Sequence, residues 1–170
     1  MRLAALALLA GCSRPAPEVT PAERACELLE AGALLEARDA FLDLVASGHP
    51  GADYGLGVVL RKLDDLPGSL ACLSAYDPSE DLALTLAAMG ECEREVLVRT
   101  RLLDADPLSL FNLAAALECA GYPVTGLYLE VLARTSPTDE LYAETLEALA
   151  EAEHDPGLYA QAAHLRELLR

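Results

Sequence analysis

The sequence predicts an all-α chain, a short array of helix pairs, and three observations carry that expectation. Apolar residues make up 53% of the 170 residues while aromatics are only 5% and Trp is absent. The apolar mass is therefore largely Ala and Leu, the strongest helix formers. Pro50, Pro78, Pro107 and Pro137 fall 28, 29 and 30 residues apart, a spacing in the range of helical repeats. No segment sustains the two-residue alternation of a half-buried strand. Val58-Val59 and Val124 are isolated, and Val96-Leu97-Val98 sits inside a run of helical length.

Each interval between prolines holds one internal break: Asp64-Asp65-Leu66-Pro67-Gly68, then Gly90, then Gly121-Tyr122-Pro123, with Gly32 ahead of Pro50. Pro opens helices and Gly closes them. The punctuation thus predicts two helices of about 10–13 residues per interval and about five pairs over 21–170. Thr20-Pro21-Ala22-Glu23 reads as the first helix start, with an N-cap Thr, Pro in the first turn and an early carboxylate. The helices are amphipathic. Leu108, Leu110, Phe111, Leu113, Ala114 and Leu117 make one apolar stripe; Leu82, Leu84, Leu86 and Met89 another; Leu141, Leu146 and Leu149 a third.

At these residues the chain resembles the tetratricopeptide (TPR) family. Leu56-Gly57, Leu82-Ala83 and Leu113-Ala114 match the Leu-small element of the first helix. Gly32, Gly90 and Gly121 match the turn. Ala37 with Phe41 matches the small and bulky positions of the second helix, with Gly126 and Ala133 at comparable places, and Asp104-Ala105-Asp106-Pro107 resembles the closing segment. The resemblance implies a TPR-like α-solenoid, in which small residues let helices approach and large ones fill the gaps. It also implies that the first helix of each pair lines a groove, making Tyr54, Arg61, Asn112 and Tyr142 candidate partner contacts.

The N-terminus has a different character. Met1-Arg2, an apolar run over 3–10 and Gly11-Cys12 form the layout of a signal peptide. The run is far shorter than the roughly 20 residues needed to span a bilayer. Leu9-Ala10-Gly11-Cys12 resembles the lipobox of bacterial lipoproteins, which implies cleavage before Cys12 and acylation there. More than one acyl chain gives stable membrane residence. The boundaries that follow are a signal over 1–11, a lipidated Cys with its tether over 12–20, and a repeat domain over 21–170. Ser13 after the Cys, where Asp resembles an inner-membrane retention signal, points to the outer membrane.

The net charge of −16 repels phosphate backbones and excludes nucleic acid as an expected partner. Beyond Cys12 there are four cysteines, Cys26, Cys72, Cys92 and Cys119. Export would place them in an oxidising compartment, where three full pairings exist. Cys92 follows one turn and Cys119 precedes the next, so Cys92–Cys119 is the preferred disulfide. The alternative is that each is a small residue in a helix interface. His49, His154 and His164 have no metal-ligand spacing. No phosphate loop or nucleophile elbow is present, and no catalytic residue, metal or cofactor is expected. Arg94, Arg99 and Arg101 sit beside Glu91, Glu93 and Glu95, which suits intrahelical pairing.

The expected function is therefore a lipid-anchored periplasmic scaffold or assembly factor, resembling pilotins or accessory subunits of envelope machines, with a protein partner and no enzymatic activity. The alternative is a lipid-anchored hydrolase, or its regulatory domain, with a polar site around His49 or His154.

Overall fold

The computed structural model of the protein describes residues 19–104 and 106–169. Cys12, the leader and the tether up to residue 18 lie outside the described residues, as does Ala105. Among the described residues there are ten α-helices and no strand. They are α1 (Pro21–Glu30), α2 (Leu34–Ala46), α3 (Ala52–Lys62), α4 (Leu66–Leu73), α5 (Glu80–Ala88), α6 (Cys92–Leu102), α7 (Pro107–Cys119), α8 (Thr125–Arg134), α9 (Glu140–Glu153) and α10 (Pro156–Leu168). A short 3-10 turn, Ser74–Tyr76, follows α4. Each helix packs mainly on its neighbours in sequence, which is the signature of a solenoid of antiparallel pairs.

Capping residues fix where helices begin. The Thr20 side chain accepts the Glu23 N–H at 3.2 Å, and the Glu23 carboxylate accepts the Thr20 N–H at 2.8 Å, a complete capping box ahead of Pro21. The Thr20 N–H holds the Glu23 carboxyl below its ordinary range, with the Thr20 hydroxyl adding to the effect. Asp65, Ser79, Asp106 and Asp155 each accept a backbone N–H in the first turn of α4, α5, α7 and α10.

The turn inside every pair is built alike. One residue takes the left-handed conformation: Gly32, Asp64, Gly90, Gly121 and His154. The following N–H then donates to the carbonyl five residues back at 2.9–3.0 Å, from Ala33 to Leu28, Asp65 to Leu60, Glu91 to Leu86, Tyr122 to Leu117 and Asp155 to Ala150. This hydrogen bond satisfies a carbonyl that the helix end would leave unpaired. In the second pair the reversal is therefore made at Asp64, while Pro67 and Gly68 lie within the first turn of α4.

Small residues set the spacing. Ala25, Gly57, Ala83 and Ala114 all lie seven residues before the left-handed turn residue, and all are buried. In the second helices Ala37 and Phe41 are buried at the fourth and eighth positions, as are Ser69 and Leu73. Gly126 and Ala133 do not take these roles; both are exposed. Counted from the left-handed residue, α8 starts two residues later than the other second helices, so the fourth position falls on Tyr128, which is buried. Leu84 and Leu108 also depart from the expected stripes and face solvent. Apolar packing forms three clusters, centred on Ala37, Phe41 and Val59; on Leu73, Leu86 and Val98; and on Ala114, Tyr128 and Leu149.

Only two of the five turn residues carry a side chain. A left-handed non-Gly residue is disfavoured by roughly 1–2 kcal/mol. Asp64→Gly and His154→Gly should each raise unfolding stability by up to about 1 kcal/mol, whereas Gly90→Ala should lower it by about 1–2 kcal/mol, as read from urea denaturation.

Candidate functional site

The first helices α1 and α3 touch one another, as do α7 and α9, across the intervening second helix. Helices on the inner side of a curved array approach more closely than those outside, which places the first helices on that side. Their most organised surface feature lies on α3 and α5. The Tyr54 hydroxyl donates to Asp81 Oδ2 at 2.6 Å, and Arg61 Nη2 donates to Asp81 Oδ1 at 2.6 Å. Tyr54 and Arg61 stand seven residues apart on one face of α3, so a single carboxylate from α5 bridges both.

Around this bridge, the Tyr76 ring meets the Tyr54 ring edge to face with centroids 5.1 Å apart, and its hydroxyl donates to Asp53 Oδ1. Arg61 Nε is buried without a hydrogen-bond partner. The Tyr54 phenol is pushed up to about 12, first by its hydrogen bond to Asp81 and then by burial. The hydrogen bond to Asp53 raises Tyr76 as well, with burial second. Tyr54 and Arg61 are thus partnered and half-buried, a fixed polar cluster rather than two free side chains. Asn112 on α7 and Tyr142 on α9 are half-buried on other first helices and do not join it.

The third pair carries the other concentration of charge. Arg99 Nε donates to Glu95 Oε1 at 2.6 Å with both side chains only 7% exposed, and Arg99 Nη1 reaches Glu80 Oε1 at 3.0 Å. Glu95 and Arg99 occupy the fourth and eighth positions of α6, where α2 has Ala37 and Phe41 and α4 has Ser69 and Leu73. Arg94 pairs with Glu91, the residue just ahead of α6, at 3.8 Å, but Arg101 leaves its helix to reach Asp77 at 2.5 Å.

Cys92, the first residue of α6, and Cys119, the last of α7, form a disulfide with Cα atoms 5.7 Å apart at a sequence separation of 27. A loop of that length stabilises the folded state by about 3–4 kcal/mol in the chain-entropy account. Cys26 is a free thiol on the surface, and Cys72 is a half-buried one. Burial raises the Cys72 thiol, with Asp53 and Asp65 adding to it. His49, His154 and His164 are exposed. His49 Nδ1 lies 3.1 Å from the Pro50 carbonyl, and His154 is the left-handed cap of α9. Among the described residues no group of three or more His, Cys, Asp or Glu could hold a metal ion, and no helix is long and apolar enough to cross a membrane.

No protein-family model matches the sequence, and no curated protein matches it. The architecture does have a counterpart among solved structures. It is similar to a crystal structure of nearly identical TPR-like repeats from Podosopora anserina, provisionally assigned as a kinesin light chain. The TM-score is 0.59 at 19% identity, covering 88% of this chain and 92% of that one. The fold is a TPR-like α-solenoid. Tyr54 and Arg61 were visible in the sequence as polar residues on a first helix. Asp81, Asp53 and Tyr76, which organise them, were not, because nothing in the local pattern says which carboxylate of the next pair comes within reach.

Removing the shared acceptor separates the two roles of the cluster. Asp81→Asn should cost about 1–3 kcal/mol by leaving Arg61 without its carboxylate. It should also bring the Tyr54 titration down toward the ordinary value near 10. The raised phenol stabilises the fold below about pH 10, and that contribution is lost as pH climbs toward 12, so the variant should lose this alkaline step. Absorbance near 295 nm, followed against pH in wild type, Asp81→Asn and Tyr54→Phe, reads both effects.

Proposed function

We propose that this protein is a bacterial lipoprotein, acylated at Cys12 and tethered by residues 12–20, whose TPR-like solenoid acts in the periplasm as a protein-interaction scaffold or assembly factor. The outer membrane is the proposed site of attachment, on the strength of Ser13. Pilotin-like delivery of a client and an accessory role in an envelope complex are the two forms such a scaffold takes here.

The observation that carries the reading is the polar cluster of Tyr54, Arg61 and Asp81 on the inner side of the array. Its groups are already ordered by internal hydrogen bonds, so recognition there loses less side-chain freedom than recognition by mobile residues. A repeat array supports the same reading, because each added pair extends a continuous surface without new connectivity. The lipobox supplies the membrane contact that a chain of net charge −16 would not make with an anionic surface.

Fractionation and intact-mass analysis test the proposal together. The mature chain should begin at a Cys12 carrying acyl mass and should sediment with membranes, while Cys12→Ser should be released to the soluble fraction. One envelope protein should be recovered at near-equal amounts with wild type and, after gentle cross-linking, with Cys12→Ser. A chain that retains Met1 with unmodified Cys12 contradicts the anchoring; recovery of no partner with either form contradicts the scaffold.

A further inference from the structure

The solvent face of α2, like that of the last helix α10 with Tyr159 and Leu168, exposes more than one large apolar side chain. Leu35, Leu42 and Val45 are 56%, 45% and 39% exposed, whereas α6 and α8 each expose a single large apolar residue, Leu97 and Leu129. Leu35 and Leu42 are seven residues apart and share a face of α2, which Val45 broadens. Directly beside this stripe run Glu36, Asp39 and Asp43, spaced three and four apart so that they too share a face. Arg38 is the one cation of α2, and it is taken by Asp39 at 2.8 Å. Glu36 and Asp43 have no ion-pair partner among the described residues. On the far side of the carboxylates a cleft of about 420 Å³ opens between α1 and α2, lined by Pro21, Ala22, Arg24, Ala40, Asp43 and Leu44, with Arg24 paired to Glu27 of its own helix at 3.3 Å.

We propose that this face of α2 docks a basic amphipathic helix of the partner protein. The inference rests on the scaffold reading and adds to it a second surface, apart from the inner cluster of Tyr54, Arg61 and Asp81, and the chemistry of what binds there. An exposed apolar stripe on an otherwise acidic surface calls for a cover. The adjoining carboxylates, left without counter-charges, select a cover whose apolar edge is flanked by Lys or Arg. A second copy of this chain would set its own carboxylates against them, and an anionic lipid surface would be repelled in the same way. A basic helix instead lays its apolar edge along Leu35 and Leu42, its cations on Glu36 and Asp43, and one side chain into the cleft.

The test uses the full chain bearing Cys12→Ser and, as probe, a synthetic Leu/Lys amphipathic helix of about five turns, with a Leu/Glu helix as its opposite. Binding is read by fluorescence anisotropy and mapped by amide chemical shifts. The Leu/Lys helix should bind, shifting amides of α2 and of Pro21's neighbours, and the Leu/Glu helix should not. Leu35→Ser with Leu42→Ser, and separately Glu36→Gln with Asp43→Asn, should each weaken binding about tenfold, while Glu144→Gln with Glu151→Gln on α9 should change it less than about twofold. All of these side chains are exposed or half-exposed, and circular dichroism checks that each variant keeps its helices.

Equal weakening by the α9 control, or shifts spread along the whole array, would reduce the effect to net charge and overturn the proposal. So would a free protein that sediments as a dimer and becomes monomeric with Leu35→Ser and Leu42→Ser, since a second copy then covers the face. If an envelope partner is recovered equally by wild type and by the α2 variants, this inference fails while the scaffold reading stands.

Discussion

The first four pairs depend on helices approaching closely enough that a side chain larger than methyl will not fit between them; the fifth has Glu147 at the corresponding place. Gly57 shows the constraint within one pair: a Cβ there would lie 2.7 Å from Leu73 Cγ and 3.0 Å from Cys72 Cβ. Leu73 is fully buried, so it has little room to withdraw. Ala25, Ala83 and Ala114 hold the same place in their own pairs, seven residues before the turn. Because first and second helices meet at this distance, Phe41 and Val59 close one apolar cluster and Leu73 and Leu86 the next. The same closeness brings Asp81 of α5 within reach of Tyr54 and Arg61 of α3.

The third pair meets the constraint differently. Where α2 and α4 carry a small residue and a bulky apolar one, α6 carries Glu95 and Arg99 as a buried ion pair. Taking two charges out of water is unfavourable, and it is tolerated only where hydrogen bonds satisfy them. Arg99 meets that condition by reaching both Glu95 and Glu80. Among the described residues the second apolar cluster ends at Val98 and Leu102, and the third begins with Phe111 and Ala114. The Cys92–Cys119 disulfide sits at this junction. The third pair is thus tied to the fourth by a covalent bond.

Much of the architecture was legible in the sequence because it is written in residues with narrow conformational roles. Pro21 and Pro107 open helices and Gly32, Gly90 and Gly121 end them, and each states its role without help from the fold. The break over 64–68 was legible, but that Asp64 would be its left-handed residue was not, and neither was that role for His154, since residues with a side chain enter that conformation far less readily than Gly. Gly126 misled because α8, counted from the left-handed residue, starts two residues later than the other second helices, which moves the buried position to Tyr128. Leu84 and Leu108 fit the helical period yet lie on the surface, because a period gives the face of a helix and not which neighbour covers it. The candidate site divides in the same way. Tyr54 and Arg61 were legible as candidate contacts on a first helix, but their partner in the next helix pair depends on packing distances that periodicity does not contain.

The most direct measurement of the packing constraint compares two glycines that share a helical backbone and differ in surroundings. Gly57 lies against Leu73 and Cys72, while a Cβ at Gly126 would meet nothing within 4 Å. Helix propensity alone favours Ala over Gly at both sites by about 0.8–1 kcal/mol. Close packing opposes it only at Gly57, where overpacking costs roughly 1–3 kcal/mol. Urea unfolding should therefore show Gly126→Ala more stable than wild type and Gly57→Ala less stable. If Gly57→Ala is stabilised as much as Gly126→Ala, the helices are not held at contact distance, and the account of the array is wrong.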